Sequence, residues 1–474
     1  MEVLKYVITD NKLPLWIKLY FAVIFTFLVF VAINLAVGIY NKWDSTPVII
    51  GISSTMTPIN KIPFPAITIC NMNQAKKSKV AQLKPGSLGY AMLQKTCYKE
   101  TNYSQYMDMQ HRNETFPKFI LDISEKCSDI IVSCTFHQQK IPCTDIFREI
   151  FVDEGLCCIF NFLHPYYLYK FNSPYIRDYT SSDRFADIAV DWDPISGYPH
   201  RLPSSYYPRT GVGVGISMGL QIILNGHVND YYCSSTNGQG FKVLLYNPID
   251  QPRMKESGLP IMIGHQTSFR IIARSFEALP SIRNIHKTKR QCIFSDEQEL
   301  LFYRYYTRRN CEAECDSMFY LRLCNCIPHY LPLVHPNASI CDVINFDCLN
   351  SAESQIFDTQ SSQCKELCLT SCHDLIFFPD AFTTPFSQKY VKAQSNYLKN
   401  LSSDYIRKNL AVVNFFHTDN YFRSSVRTSY TGPTEYMALT GGIMSLMIGF
   451  SVIFIAEIIY IIFFILTCLL LLMF

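Results

Sequence analysis

The chain has 474 residues, 49% of them apolar and 17% charged, and a formal charge of only +3. No Lys/Arg block of the kind that tracks phosphates is present, which excludes nucleic acid as a partner. The apolar share points to a membrane protein that carries a large polar domain.

Residues 1–18 are short and mixed, with Lys5, Lys12 and Lys18, and read as a cytosolic N-terminus. From Leu19 to Asn41 no charge occurs, enough to cross a membrane as a first helix. A signal peptide would have a shorter apolar core and a small-x-small cleavage site, which is lacking before Lys42. Residues 42–435 then form an extracellular domain large enough for its own core. Eighteen of the 19 cysteines fall within it, from Cys70 to Cys372, and an even set reads as a disulfide framework in an oxidising compartment. Four glycosylation sequons, at Asn102, Asn113, Asn337 and Asn400, lie on the same side. Both termini are therefore placed inside.

Within that domain, Phe64-Pro-Ala-Ile-Thr-Ile-Cys70-Asn71 reads as a strand, β-branched after a proline. Residues 97–143 are polar and read as helix and loop. Strands are expected at Gln221–Leu224 and Phe241–Leu245, and a helix running into a strand at Ala411–Phe416. The last 39 residues, 436–474, form a second span with one charged residue, Glu457. As one straight helix they would measure about 58 Å, nearly twice a ~30 Å hydrocarbon core. A break is expected in the middle, at Gly449-Phe450-Ser451.

Residues 292–372 hold ten cysteines, a set with 945 possible pairings. Zinc is the rival reading for Cys324-x-Cys326 near His329, but an even extracellular set favours disulfides. Cys311 and Cys315 are spaced like Cys364 and Cys368, so pairing 311 with 368 and 315 with 364 would make an antiparallel ladder. The run Gly211-Val-Gly-Val-Gly-Ile-Ser-Met-Gly219 imitates a nucleotide loop but leads into a strand. Lys287-Thr-Lys-Arg290 reads as a solvated basic face. Nothing resembles a catalytic triad, a carboxylate pair or a metal site, so neither an enzyme nor a cofactor is expected. Gly441, Ser445 and Gly449 repeat every four residues, a stripe that lets helices approach closely in lipid. Packing alone does not explain Ser451 or Glu457. A Gly-x-Ser break could ring an axis shared by several chains with carbonyls and a hydroxyl, and Glu457 could attract cations there.

These landmarks together resemble the degenerin/epithelial sodium channel superfamily, most closely its insect pickpocket branch. The resemblance rests on Phe64–Asn71, on Gly155-Leu-Cys-Cys-Ile-Phe-Asn161, and on Tyr231–Asn237 with Gly240–Pro248. It rests also on the cysteine block from Arg309 to Cys372, and on Gly441-Gly442, Leu446–Ser451 and Glu457-Ile-Ile-Tyr460. It implies a fold of membrane helices plus a large α+β, disulfide-rich ectodomain: two transmembrane helices, with palm, finger, thumb (residues 292–372), knuckle and β-ball. It implies bridges Cys292–Cys372, Cys311–Cys368, Cys315–Cys364, Cys324–Cys348, Cys326–Cys341 and Cys70–Cys157. The partners of Cys97, Cys127, Cys134, Cys143, Cys158 and Cys233 stay open.

The resemblance further implies a trimer, homomeric or with related subunits, forming a sodium-preferring, amiloride-sensitive pore in the plasma membrane. Gly449, Phe450 and Ser451 would be its filter. Ala438, where bulky substitutions hold relatives open, Gly441, Gly442, Ser445 and Glu457 would line the pore and gate. Permeant Na+ is the only ion expected. Three departures stand out: the 18 residues before the first span contain no histidine, no cytosolic tail is expected after the second, and Tyr460 stands where some relatives have a second acid. The competing functions are a non-conducting accessory subunit, a two-span scavenger-type receptor and an ATP-gated-type channel. A receptor would have plain anchors, and an ATP site would want a basic cluster.

Overall fold

The computed structural model describes residues 14–98, 115–170, 187–335, 337–355, 364, 366–387, 396–399, 401–430 and 432–449. In chain order the main elements are α1 (Leu15–Ser45), β1 (Val48–Pro58), β2 (Ala66–Asn71), α2 (Leu88–Cys97) and α3 (Phe116–Ile123). Next come β3 (Ile131–Phe136), β4 (Gln139–Ile141), β5 (Phe147–Val152), β6 (Gly155–Phe160), β7 (Leu220–Asn225), β8 (Tyr231–Ser234), β9 (Gly240–Tyr246), β10 (Leu259–Met262) and β11 (His265–Ala278). The last third holds α4 (Arg308–Cys324), α5 (Phe346–Gln355), β12 (Asp374–Pro385), α6 (Ser403–Asn409), β13 (Leu410–His417), β14 (Tyr421–Ser429) and α7 (Pro433–Ile448). They group into two compact units. The smaller collects the described parts of 1–51, 278–291 and 426–474, and the larger comprises Ile52–Glu277 and Cys292–Ser425.

In the larger unit, two sheets carry the core. One has the order β11-β13-β7-β3-β4, with β12 on the other side of β11. The second has the order β10-β9-β2-β6-β5. β13 runs parallel to β11, from Gln266 opposite Val412 to Ile271 opposite His417, and antiparallel to β7. β2 is buried along its whole length, and its β-branched centre, Ile67-Thr68-Ile69, suits a central strand. Phe64, Phe136 and Phe160 meet edge to face at 5.5–6.2 Å, and Phe269 stacks on Phe415 at 5.2 Å. Gly219 must lack a side chain, because a Cβ there would lie 1.9 Å from the Phe415 carbonyl oxygen.

Strands form where the sequence reading expects them at 66–71, 220–225 and 240–246, and α6 runs into β13. Residues 97–143 depart from the expected helix and loop. They include strands β3 and β4, antiparallel and closed by the bridge Cys134–Cys143. The short-range apolar pattern is too brief there to announce a hairpin that the crosslink and β7 hold in place. The glycine run passes through a short 3-10 turn, Ile216–Met218, into β7.

Nine disulfides occur among the described residues. Cys292–Cys372, Cys311–Cys368, Cys315–Cys364, Cys324–Cys348 and Cys326–Cys341 tie the cysteine block, and Cys70–Cys157 joins β2 to β6. Cys97–Cys233, Cys127–Cys158 and Cys134–Cys143 account for the six cysteines that the sequence left open. Helix α4 starts at Thr307, whose hydroxyl accepts from the Asn310 N–H at 3.1 Å, and ends at Asn325 in the left-handed conformation. From its second turn Glu314 reaches back to accept the N–H groups of Leu301 (2.7 Å), Phe302 (2.7 Å) and Tyr303 (3.1 Å). Nearby, α2, α3 and α5 share an apolar cluster in which Phe116 packs edge-on to Phe346 at 4.9 Å. His329 contacts Phe116 and Phe151, and burial pushes its imidazole down to about 4, so it is neutral.

Candidate pore segment

In the smaller unit α1 is one continuous helix of 31 residues, extending past both ends of the uncharged stretch 19–41. Only Ala32 of its side chains is buried, as suits a helix solvated by lipid tails. Asn34 is satisfied within the helix, donating from Nδ2 to the Phe30 carbonyl at 2.8 Å.

Helix α7 begins three residues before the expected start of the second span. Pro433 occupies its first turn, where a missing N–H costs nothing, and the Glu435 carboxylate accepts from the Gly432 N–H. It packs on α1, with Tyr436 against Trp43 at 5.7 Å. In the last turn of α1, Lys42 Nζ sits 4.9 Å over the Tyr430 ring, and the Tyr430 N–H donates to the Pro47 carbonyl at 2.9 Å.

The same unit contains Lys287–Arg290, a single helical turn. Lys289 pairs with Asp44, but Arg290 is buried and donates to the Arg283 and Ile285 carbonyls at 2.9 and 3.1 Å. The solvated basic face expected from sequence therefore does not extend to Arg290.

Along α7 the half-buried positions are Tyr436, Thr440, Ile443, Met444 and Met447. Ala438, Gly441, Gly442, Ser445 and the following Gly449 are exposed. A Cβ built on Gly441 or Gly442 would meet nothing within 4 Å. Within this chain, then, the small-residue stripe is not the seam against α1. Larger side chains make that seam and leave the small ones on a smooth opposite flank.

The helix ends where the break was expected. Gly449 adopts φ +69°, a left-handed conformation that closes helices and that side-chain-bearing residues rarely take, and its N–H bonds the Ser445 carbonyl at 2.9 Å. Phe450, Ser451 and Glu457 lie outside the described residues, as do residues 1–13 and the rest of the expected second span. Asn102, Asn113 and Asn400 also lie outside them, whereas Asn337 is exposed on a turn.

The family model described as "Amiloride-sensitive sodium channel" matches residues 1–461. Among individual proteins, Drosophila melanogaster Pickpocket protein 28 is 33% identical over 96% of this chain and 75% of its own length. The Rattus norvegicus bile acid-sensitive ion channel is 23% identical over 89% of this chain and 76% of its own. Danio rerio acid-sensing ion channel 1A is 22% identical over 94% and 81%, respectively.

Proposed function

The chain belongs to the amiloride-sensitive sodium channel family, and on that premise we propose that it is a pore-forming subunit of a sodium-preferring, amiloride-blocked cation channel of the plasma membrane. The matching family is one of ion channels rather than enzymes, which supports reading the chain as a channel component. The observation that carries the finer reading is the end of α7 at left-handed Gly449, with small residues on the flank turned away from α1. A helix that stops inside an apolar run leaves backbone polar groups without intrahelical partners. In lipid these are tolerable only where they are buried in protein or line a hydrated path.

Three copies, identical or related, would bring three such ends around one axis. Carbonyls of Gly449 and Phe450 and the hydroxyl of Ser451 would then replace part of a sodium ion's hydration shell. Glu457 would raise the local cation concentration below them. Ala438, Gly441, Gly442 and Ser445 would line the wider approach, where a larger side chain would prop the helices apart.

The test is whole-cell current from the chain carrying Ala438→Val, alone and with a related subunit, with sodium replaced by a large organic cation and with amiloride added. A steady, amiloride-blocked sodium current whose selectivity changes on substituting Ser451 supports the reading. Surface delivery without current in either setting would overturn it in favour of a non-conducting role.

A further inference from the structure

The turn between β7 and β8 binds two separate parts of the larger unit at once. On one side it is tied to the junction of α6 and β13. The Gly226 N–H donates to the Asn409 carbonyl at 2.7 Å, the Val228 N–H to Asn409 Oδ1 at 3.0 Å, and Asn225 Nδ2 to the Tyr405 hydroxyl at 3.1 Å. On the other side His227 Nδ1 lies 3.4 Å from Glu125 Oε2, just beyond the end of α3. His227 holds φ +43°, a left-handed conformation that a non-glycine residue keeps only when its surroundings fix it.

Glu125 is the unusual member. Its side chain is 3% exposed, yet among the described residues no lysine or arginine lies within ion-pair distance of it. Oε2 accepts one neutral bond, from Asn71 Nδ2 at 3.0 Å, and Asn71 is itself fixed by the Tyr231 hydroxyl at 2.6 Å. The remaining partner is the imidazole, whose side chain is 36% exposed and so can exchange protons with the medium. A buried carboxylate is strongly disfavoured unless paired, so the protonation state of His227 decides how well Glu125 is held.

We propose that His227 and Glu125 form a proton-operated latch, closed while the imidazole is protonated and loosened as rising pH removes its proton, that fastens the segment after α3 to α6 and β13. The other charged groups facing the imidazole leave this direction intact. Asp129 favours the charged ring and Lys76 opposes it, but these two are 3.4 Å apart and largely offset one another. Asp230, on the same turn, is engaged by the Ser78 N–H and hydroxyl at 2.8 Å. The bond to Glu125 outweighs desolvation and raises His227 above its ordinary 6.5. Its stabilisation is therefore complete below 6.5 and disappears as pH rises through the raised value.

The inference does not depend on conduction, so its test reads structure. The full-length protein in lipid nanodiscs is compared at pH 6 and pH 8.5 by amide hydrogen exchange, corrected for intrinsic rates. Protection of residues 123–130 and 225–231 is expected to fall several-fold at the higher pH. In His227→Gln and in Glu125→Gln the dependence is expected to vanish. Exchange at the histidine C2 position of the unmutated protein gives the titration of His227 directly, with an expected midpoint above 6.5. A midpoint at or below that value, unchanged protection in the wild type, or full pH dependence in His227→Gln would each overturn the latch.

Discussion

The rings of Trp43 and Tyr436 lie 5.7 Å apart, tilted by 32°, and join the last turns of α1 to the first turn of α7. Aromatic pairs of this geometry add about 0.5–1.5 kcal/mol beyond their buried area. Trp43→Ala and Tyr436→Ala should each lower the melting temperature of the solubilised protein. The double variant should lose less than the sum, with a coupling of that size. Strict additivity would show that the contact carries no energy.

A second prediction concerns Gly449. Any side chain there is strained by about 1–2 kcal/mol in the left-handed conformation, before any effect on neighbours. Gly449→Ala is expected to reach the cell surface but to shift the reversal potential toward weaker sodium preference, measured with the Ala438→Val background. An unchanged reversal potential would separate the helix stop from selectivity.

Glu314 supplies a third. Three backbone N–H groups of the 301–303 loop converge on one buried carboxylate. Glu314→Gln keeps the volume but replaces two acceptor oxygens by one, leaving at least one donor without its charge-assisted bond. The expected cost is roughly 1–3 kcal/mol, read as a lower thermal midpoint with the disulfides intact.

His417 provides the acid limb. It is 2% exposed, packed edge-on to Phe64 at 5.4 Å, and burial lowers its imidazole to about 4. The native ring is neutral where the unfolded one, near 6.5, already binds a proton. Stability therefore falls as pH drops from 6.5 to 4, by roughly 3 kcal/mol when complete. The gap between the thermal midpoints at pH 7 and pH 4.5 should narrow in His417→Gln, the remainder being carried by His329 and His137, whose imidazoles burial lowers likewise.

Much of this was legible in the sequence. The stop at Gly449 could be read from an apolar run too long to be one span, and β2 from its β-branched residues. The spacing of Cys311, Cys315, Cys364 and Cys368 already suggested a ladder. What escaped the reading depends on distant chain. Glu125 and His227 are 102 residues apart, and nothing local to either announces the pair. The β3–β4 hairpin needs β7 and a crosslink to define it. Which flank of α7 meets α1 is decided by bulk: the eye is drawn to the glycines, but Tyr436, Thr440 and Met444 fill the space.

A last prediction follows from Gly219. Because its missing side chain is replaced in space by the Phe415 carbonyl, Gly219→Ala must push β7 away from β13. Loss of surface protein, rather than altered current, is the expected outcome in a cell-surface labelling assay.

The parallel pairing of β11 with β13 has a consequence for how the protein is made. Residues 272–411 must all be synthesised before Val412 can lie beside Gln266. Until then β11 leaves the ribosome with one long edge open. The nascent chain must therefore be shielded, by the membrane-insertion machinery or by lumenal chaperones, through about a third of its translation. A premature stop between Cys372 and Val412 would yield a protein that retains its first helix and eighteen of its 19 cysteines yet cannot close its central sheet, and quality control should remove it.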